Sequence, residues 1–311
     1  MMEVVEYIAA GWWTWMSAVT VQTAVLIAVV YALDRAVGER AGPQFRAAMW
    51  WVVMLKLVLP PTLTSPISMA QLMPTDEIAG AGVVAATESA STGGWLLAGF
   101  IAWAVGAAGW AATTILRYRR TRARWLTACD ESLPGWLDTM AARAARRIGL
   151  SNVPRVIISA GGFSPAVVGI VRPAIVMPAD AVRSASRVHI RHMLLHEMVH
   201  IRRHDPIVNA ACLTLQAIYW FHPGVWLARA RLSVLCEMTC DQAVSRLLGR
   251  SAPRYRQTLL QMARSLLERP AAHGSLAFMR RRSQIVQRLE CLRRPRPCRP
   301  AWRRAATAAT V

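Results

Sequence analysis

Acidic side chains are scarce in this sequence: 17 Asp and Glu stand against 37 Lys and Arg, a formal net charge of +20 over 311 residues. A soluble domain with that imbalance needs polar surface to carry it, yet 54 % of the residues are apolar. The two facts agree if apolar residues occupy bilayer spans and basic ones crowd one membrane face. Direct nucleic-acid binding is not expected, because the arginines flank the apolar runs and form no nucleic-acid motif. Paired cysteines are also missing. Cys129, Cys212, Cys236, Cys240, Cys291 and Cys298 are irregularly spaced, which excludes a zinc ribbon and a secreted disulfide scaffold and favours reduced cytoplasmic thiols. No basic residue precedes Arg35, while Glu3 and Glu6 sit at the start, the opposite of a cleaved signal peptide. No internal repeat is visible.

What is present begins with long uncharged runs. Ile8 to Leu33 holds no charge, and Ser89 to Leu116 holds none either; a helix needs ~20 apolar residues to cross a bilayer. A shorter run from Ala47 to about Leu63 carries Lys56 and stops at Pro60-Pro61. Three spans are therefore expected, at about 8–33, 47–63 and 92–116. The Gly- and Ala-rich third run suits close helix packing in lipid, and thirteen Trp suit the membrane interface. The first connection carries Arg35, Arg40 and Arg46, the second Asp76, Glu77 and Glu88 without a basic residue, and Arg117, Arg119, Arg120, Arg122 and Arg124 follow the third run. Positive charge marks the cytoplasm, so the N-terminus is expected outside the cell membrane and everything after Arg117 inside.

From about Trp125 the pattern turns globular. Helices are expected at Trp136 to Ile148, Val188 to His204, Ile207 to Phe221, Val225 to Leu248 and Ala252 to Leu267, with β-like stretches at Arg155 to Ser159 and Ala166 to Val176. This defines a membrane region 1–116, a domain 117–270 and a basic Arg/Pro-rich tail 271–311, the last expected to be solvated near anionic headgroups.

The chemistry centres on His196-Glu197-Met198-Val199-His200. Residues four apart on a helix share a face, so two imidazoles can hold one tetrahedral Zn²⁺ with Glu197 as general base. His192 and His204 extend the stripe, but His192 to His200 spans about 12 Å of helix rise, so one ion takes only one adjacent pair. Only the pair 196/200 encloses a Glu directly after its first member. A metzincin is excluded, since His204 falls eight residues after His196 with no Gly turn; His204-Asp205-Pro206 marks the helix end. A third ligand must come from elsewhere. Glu237 and Asp241 share a face of an apolar helix, so Glu237 can ligate while Asp241 hydrogen-bonds a ligating His. Cys236 or Cys240 is the alternative donor, and Asp205 is placed with Asp241 behind the ligands.

Four stretches together resemble the beta-lactam-sensor/antirepressor (BlaR/MecR-like) family of integral-membrane zinc metallopeptidases. They are Pro165 to Ile175, His196 to Asp205, Trp220 to Leu227 and Glu237 to Val244. The resemblance covers about Pro154 to Leu292 plus the preceding spans. It implies a membrane α-helical region joined to a mainly α, α+β gluzincin-like domain with a small edge-strand sheet, one Zn²⁺ on His196, His200 and Glu237, and Glu197 as base. It implies a cytoplasmic zinc domain, and Val167 to Arg172 looks like an edge strand pairing with an extended substrate, with Val167, Val168, Gly169 and Arg172 at that surface. Members typically cleave themselves or a transcriptional repressor when an outside domain senses a signal. His222 stands where the family usually has Asn before Pro223, and a helix cap is its expected role. A fourth span and sensor would lie beyond Val311, so the chain is either truncated or works with a separate sensor protein, and antibiotic sensing is not inferred.

A regulatory endopeptidase acting on a polypeptide is the leading reading. Tyr219, His222 and Tyr255 are candidates to stabilise the oxyanion, and Phe278 to Leu289 is a candidate self-cleavage region. The alternatives are a quality-control or prenyl-protein-type membrane zinc peptidase, and a non-catalytic scaffold with structural zinc closed by a Cys thiolate.

Overall fold

The computed structural model describes residues 2–60, 92–127, 134–160, 164–268 and 286–292. The expectations for the second loop's acids, the start of the third run, Cys129, Cys298, most of the tail and residues 278–285 lie outside the described residues. Described elements run α1 (Met2–Val37), α2 (Pro43–Val58), α3 (Thr92–Thr127), α4 (Gly135–Ile148), β1 (Arg155–Ser159), β2 (Ala166–Val168), β3 (Ala174–Pro178), α5 (Ala179–Ser184), α6 (Arg187–Arg202), α7 (Asp205–Ile218), α8 (Pro223–Leu248) and α9 (Ala252–Glu268). A short helix α10 follows at 286–292. The chain divides into two compact units.

The first unit takes in Met1–Ala36, Ala48–Ile115 and Cys212–Ala230. Two of its helices are long and apolar enough to cross a membrane, over Tyr7–Val37 and Gly94–Trp125. Their exposed faces are apolar rather than polar: Val21, Val25, Val29 and Leu33 form an exposed i, i+4 stripe on α1, and Trp95, Ile101, Val105 and Ile115 are exposed on α3. In water such contiguous patches are rare. The second expected span is a 16-residue helix, about 24 Å long against a hydrocarbon core of about 30 Å. It buries Trp50, Val53, Met54 and Leu57 and exposes Trp51, Val52, Leu55 and Val58, so both of its faces are apolar.

Polar ties inside this unit run from indoles to carbonyls. Trp13 Nε1 donates to Leu96 O at 3.1 Å, Trp103 Nε1 to Ile218 O at 2.8 Å and Trp220 Nε1 to Trp103 O at 3.3 Å. Gly106 lies under the Trp220 ring, where a Cβ would fall 2.5 Å from Cε2. His222 does cap α8, its Nδ1 accepting from Gly224 N at 3.0 Å. Tyr219 donates its hydroxyl to Leu57 O at 3.0 Å. Placement of Cys212–Ala230 beside the apolar helices was not legible in a globular-looking stretch.

The second unit holds Val37–Ala47, Leu116–Ala211 and Arg231–Val311. Its sheet has the order β1-β3-β2, with β1 parallel and β2 antiparallel to β3. Leu137, Ala141 and Ile148 of α4, Val156, Ile175 and Met177 of the sheet, Ile190, Leu194 and Met198 of α6 and Val244 of α8 make one core. The expected single stretch from Ala166 to Val176 is a hairpin. Gly169, at φ +96°, turns the chain, and a Cβ there would meet Arg172 O at 2.6 Å. Val167 and Val168 therefore lie on the edge strand β2, while Gly169 and Arg172 belong to the turn. This corrects the edge strand expected through Arg172. The physical cause is the left-handed backbone at Gly169, which ends the pleat.

Candidate metal centre

Helix α6 begins at Ser186, whose hydroxyl accepts from His189 N at 3.3 Å as an N-cap does. Its apolar stripe of Ile190, Leu194 and Met198 faces the core and carries His192 and His196 inward with it. The helix stops at Arg202, where the expectation ran to His204. His204 takes φ +59°, a conformation in which His is less disfavoured than most residues, and α7 restarts at Asp205. This break brings the Asp205 carboxylate back onto His200.

Two imidazole nitrogens and one carboxylate form a triangle. His196 Nε2 and His200 Nε2 are 3.2 Å apart, His196 Nε2 is 3.4 Å from Glu237 Oε2, and His200 Nε2 is 3.5 Å from Glu237 Oε1. Zinc–nitrogen and zinc–oxygen bonds of about 2.0–2.2 Å set tetrahedral donor separations of roughly 3.3–3.6 Å, so the residues present fit such an ion. Both Nδ1 atoms are engaged elsewhere. His200 Nδ1 donates to Asp205 Oδ2 at 2.8 Å. His196 Nδ1 lies 3.2 Å from Asp241 Oδ1 and 3.1 Å from the Tyr255 hydroxyl, which itself donates to Asp241 at 2.6 Å. A proton on each Nδ1 leaves each Nε2 lone pair directed into the triangle.

The electrostatics follow from burial and these partners. Burial pulls His200 down, but Asp205, Cys236 and the Glu237 charge outweigh it and raise the imidazole well above its usual value. His196 moves the same way, with Asp241 and Glu237 overcoming burial. Burial works against the Glu237 carboxylate, yet His196, Arg288 and His200 hold it down to about 2. Asp205 is likewise held at about 2 by His200 and Arg203. Glu197 is raised by desolvation, only partly countered by the two histidines. Its carboxyl makes no hydrogen bond to another described residue.

His192 does not join this group. Its Nδ1 bonds Thr258 Oγ1 at 2.8 Å, and burial depresses it to about 4. It is a neutral core histidine. Tyr255 is in the group, its hydroxyl donating to Asp241 and lying against His196 Nδ1. The residue missed in the sequence is Arg288 of α10. Its Nε and NH2 clasp Asp241 at 2.7 and 2.9 Å, and its NH1 reaches Glu237 Oε2 at 3.1 Å. Sitting in an Arg-rich stretch with no periodic signal, it looked like one more solvated charge.

Cys236 and Cys240 lie on the other side of His200. Cys240 Sγ is 3.4 Å from His200 Nδ1 and 3.4 Å from Asp205 Oδ2, so this thiol meets the nitrogen that points away from the triangle.

The model of the BlaR1 peptidase M56 family matches residues 14–292. The chain is 31 % identical over 99 residues to the methicillin resistance MecR1 protein of Staphylococcus aureus, covering 32 % of this chain and 17 % of the relative. It is 31 % identical over 130 residues to the regulatory protein BlaR1 of Bacillus licheniformis, covering 40 % of this chain and 22 % of the relative. The chain thus spans about a fifth of the length of the curated relatives it matches. Two of its helices are long and apolar enough to cross a membrane, and both relatives carry names of resistance or regulatory proteins. Since the family match starts inside α1 and runs on through the helix carrying Arg288, the chain belongs to the BlaR1 peptidase M56 family.

Proposed function

We propose that this chain is a membrane-embedded zinc endopeptidase of a signalling pathway, cleaving itself or a cytoplasmic transcriptional repressor. The observation that carries the reading is the triangle of His196 Nε2, His200 Nε2 and Glu237, at 3.2–3.5 Å with both Nδ1 atoms tied back. Three protein ligands leave a fourth position open, the pattern of a catalytic rather than a closed structural site. Cys240 addresses the opposite nitrogen of His200, which weighs against its closing the site. When bound, zinc supplies Lewis acidity toward a peptide carbonyl and toward water. Glu197, raised by burial, takes the proton released in attack and returns it to the leaving amine. Asp241 and Asp205 hold the two imidazoles in register, and Arg288 steadies Glu237 and Asp241. The free edge of β2 at Val167 and Val168 is positioned to pair with an extended substrate.

The chain is read as crossing the bilayer three times within residues 1–116, with the N-terminus outside. The five arginines from Arg117 to Arg124 support reading the metal domain of 117–270 as cytoplasmic. The segment 271–311 is read as a basic tail, and a separate protein or a further segment as the sensor.

The test is metal content together with cleavage of a repressor-type substrate by wild type and Glu197→Gln. The variant is expected to keep one zinc per chain and to lose cleavage by ~10²-fold or more. Undiminished cleavage by a zinc-loaded Glu197→Gln protein would sink the assignment.

A further inference from the structure

Helix α8 carries two donor pairs, not one. Glu237 and Asp241 form the first pair; Cys236 and Cys240, one residue earlier, form the second, rotated by about 100° on the same helix. His200 stands between the two stripes. Its Nε2 faces Glu237 at 3.5 Å, while its Nδ1 faces Asp205 at 2.8 Å and Cys240 Sγ at 3.4 Å. Single donor atoms of His200, Asp205, Cys236 and Cys240 all lie within 4.8 Å of one another, with Cys240 buried and the other three half-buried. Packing alone does not require sulfur at both positions, since alanine or valine fills such a face. A thiolate pair four apart with an imidazole and a carboxylate is the donor set of a thiophilic d¹⁰ ion.

We propose that Cys236, Cys240, His200 Nδ1 and Asp205 form a second metal site, for a soft cation such as Cd²⁺, Cu⁺ or excess Zn²⁺, which competes with the first site for His200. Binding releases two thiol protons to solvent. The imidazole proton now on Nδ1 moves to Nε2, so Nδ1 presents a lone pair to the ion. His200 is then lost to the triangle, which keeps only His196 and Glu237. The site inhibits by withdrawing a ligand, without entering the substrate cleft. Only this inhibitory consequence rests on the proposed first site; occupancy of the second does not.

The probe is CdCl₂ titrated into the full chain loaded with one zinc. Expected are a near-ultraviolet thiolate-to-cadmium absorption band, binding of one Cd²⁺ per chain, and a fall in cleavage of roughly ten-fold or more. The Cys236→Ser/Cys240→Ser protein is expected to show no band and to keep its zinc and its cleavage at the same Cd²⁺ concentration. The variant with Cys129, Cys212, Cys291 and Cys298 changed to alanine keeps the band. So does Glu237→Ala, which removes the first site, so a failed peptidase reading and a failed thiol site give different results. No band in the wild-type chain, or a band surviving in the double serine variant, overturns the proposal.

Discussion

Asp205 reaches His200 only because the chain breaks at His204 and restarts a helix one residue later. That single backbone reversal sets the tautomer of a candidate ligand. Asp205→Asn keeps the shape but weakens the pull on the Nδ1 proton; zinc affinity is expected to fall 10–100-fold in chelator competition, with the fold unchanged. Protons also compete with the metal. In the metal-free protein both His196 and His200 are raised by neighbouring carboxylates, so metal uptake must expel protons. Affinity is expected to weaken as pH falls, and the heat of zinc binding is expected to vary with the ionisation enthalpy of the buffer. The carboxylates run the other way. Asp205 and Glu237, each held at about 2, contribute stability that is complete above the ordinary carboxylate range near 4 and is lost between about pH 4 and pH 2. Metal-free protein is therefore expected to show an acid transition in that window, followed by near-ultraviolet circular dichroism.

At the scale of elements, the ligand helix was readable because its pattern is local. H-E-x-x-H on one face, a Ser cap and an apolar stripe are all encoded within one segment. Glu237 was readable as a pair with Asp241 on an apolar helix. Arg288 was not, because α10 owes its place to partners nearly fifty residues away, Asp241 at 2.7 Å and Glu237 at 3.1 Å. Removing one partner of a buried ion pair strands the other. Arg288→Met is expected to lower stability by about 3–5 kcal/mol, read as a lower melting temperature in detergent; an unchanged melt would show α10 to be peripheral. The β2–β3 turn was half legible: the glycine was visible, but the reversal it causes was taken for continued strand. Gly169→Ala forces a side chain into left-handed backbone against Arg172 O, at a cost of about 1–3 kcal/mol, with peptide KM rising more than kcat falls.

At the scale of the molecule, composition alone separated apolar helices from a basic remainder, because charge and hydropathy are summed quantities. It could not assign Cys212–Ala230, whose mixed sequence reads as soluble while its indoles and glycine-packed neighbours belong to the first unit. Gly106→Leu drives a branched side chain into the Trp220 ring and is expected to unfold this bundle before the metal domain, seen as early Trp fluorescence change in a thermal ramp.

That assignment bears on how the candidate ligands are strung along the chain. His196 and His200 precede Cys212–Ala230 in the chain, and Glu237 follows it. The polypeptide leaves the metal domain between one ligand and the next, visits the apolar unit, and returns to complete the triangle. The two segments that carry the candidate ligands are therefore covalently continuous with the first unit through α7 and α8. A helical detour of Cys212–Ala230 thus separates two histidines from the glutamate they face.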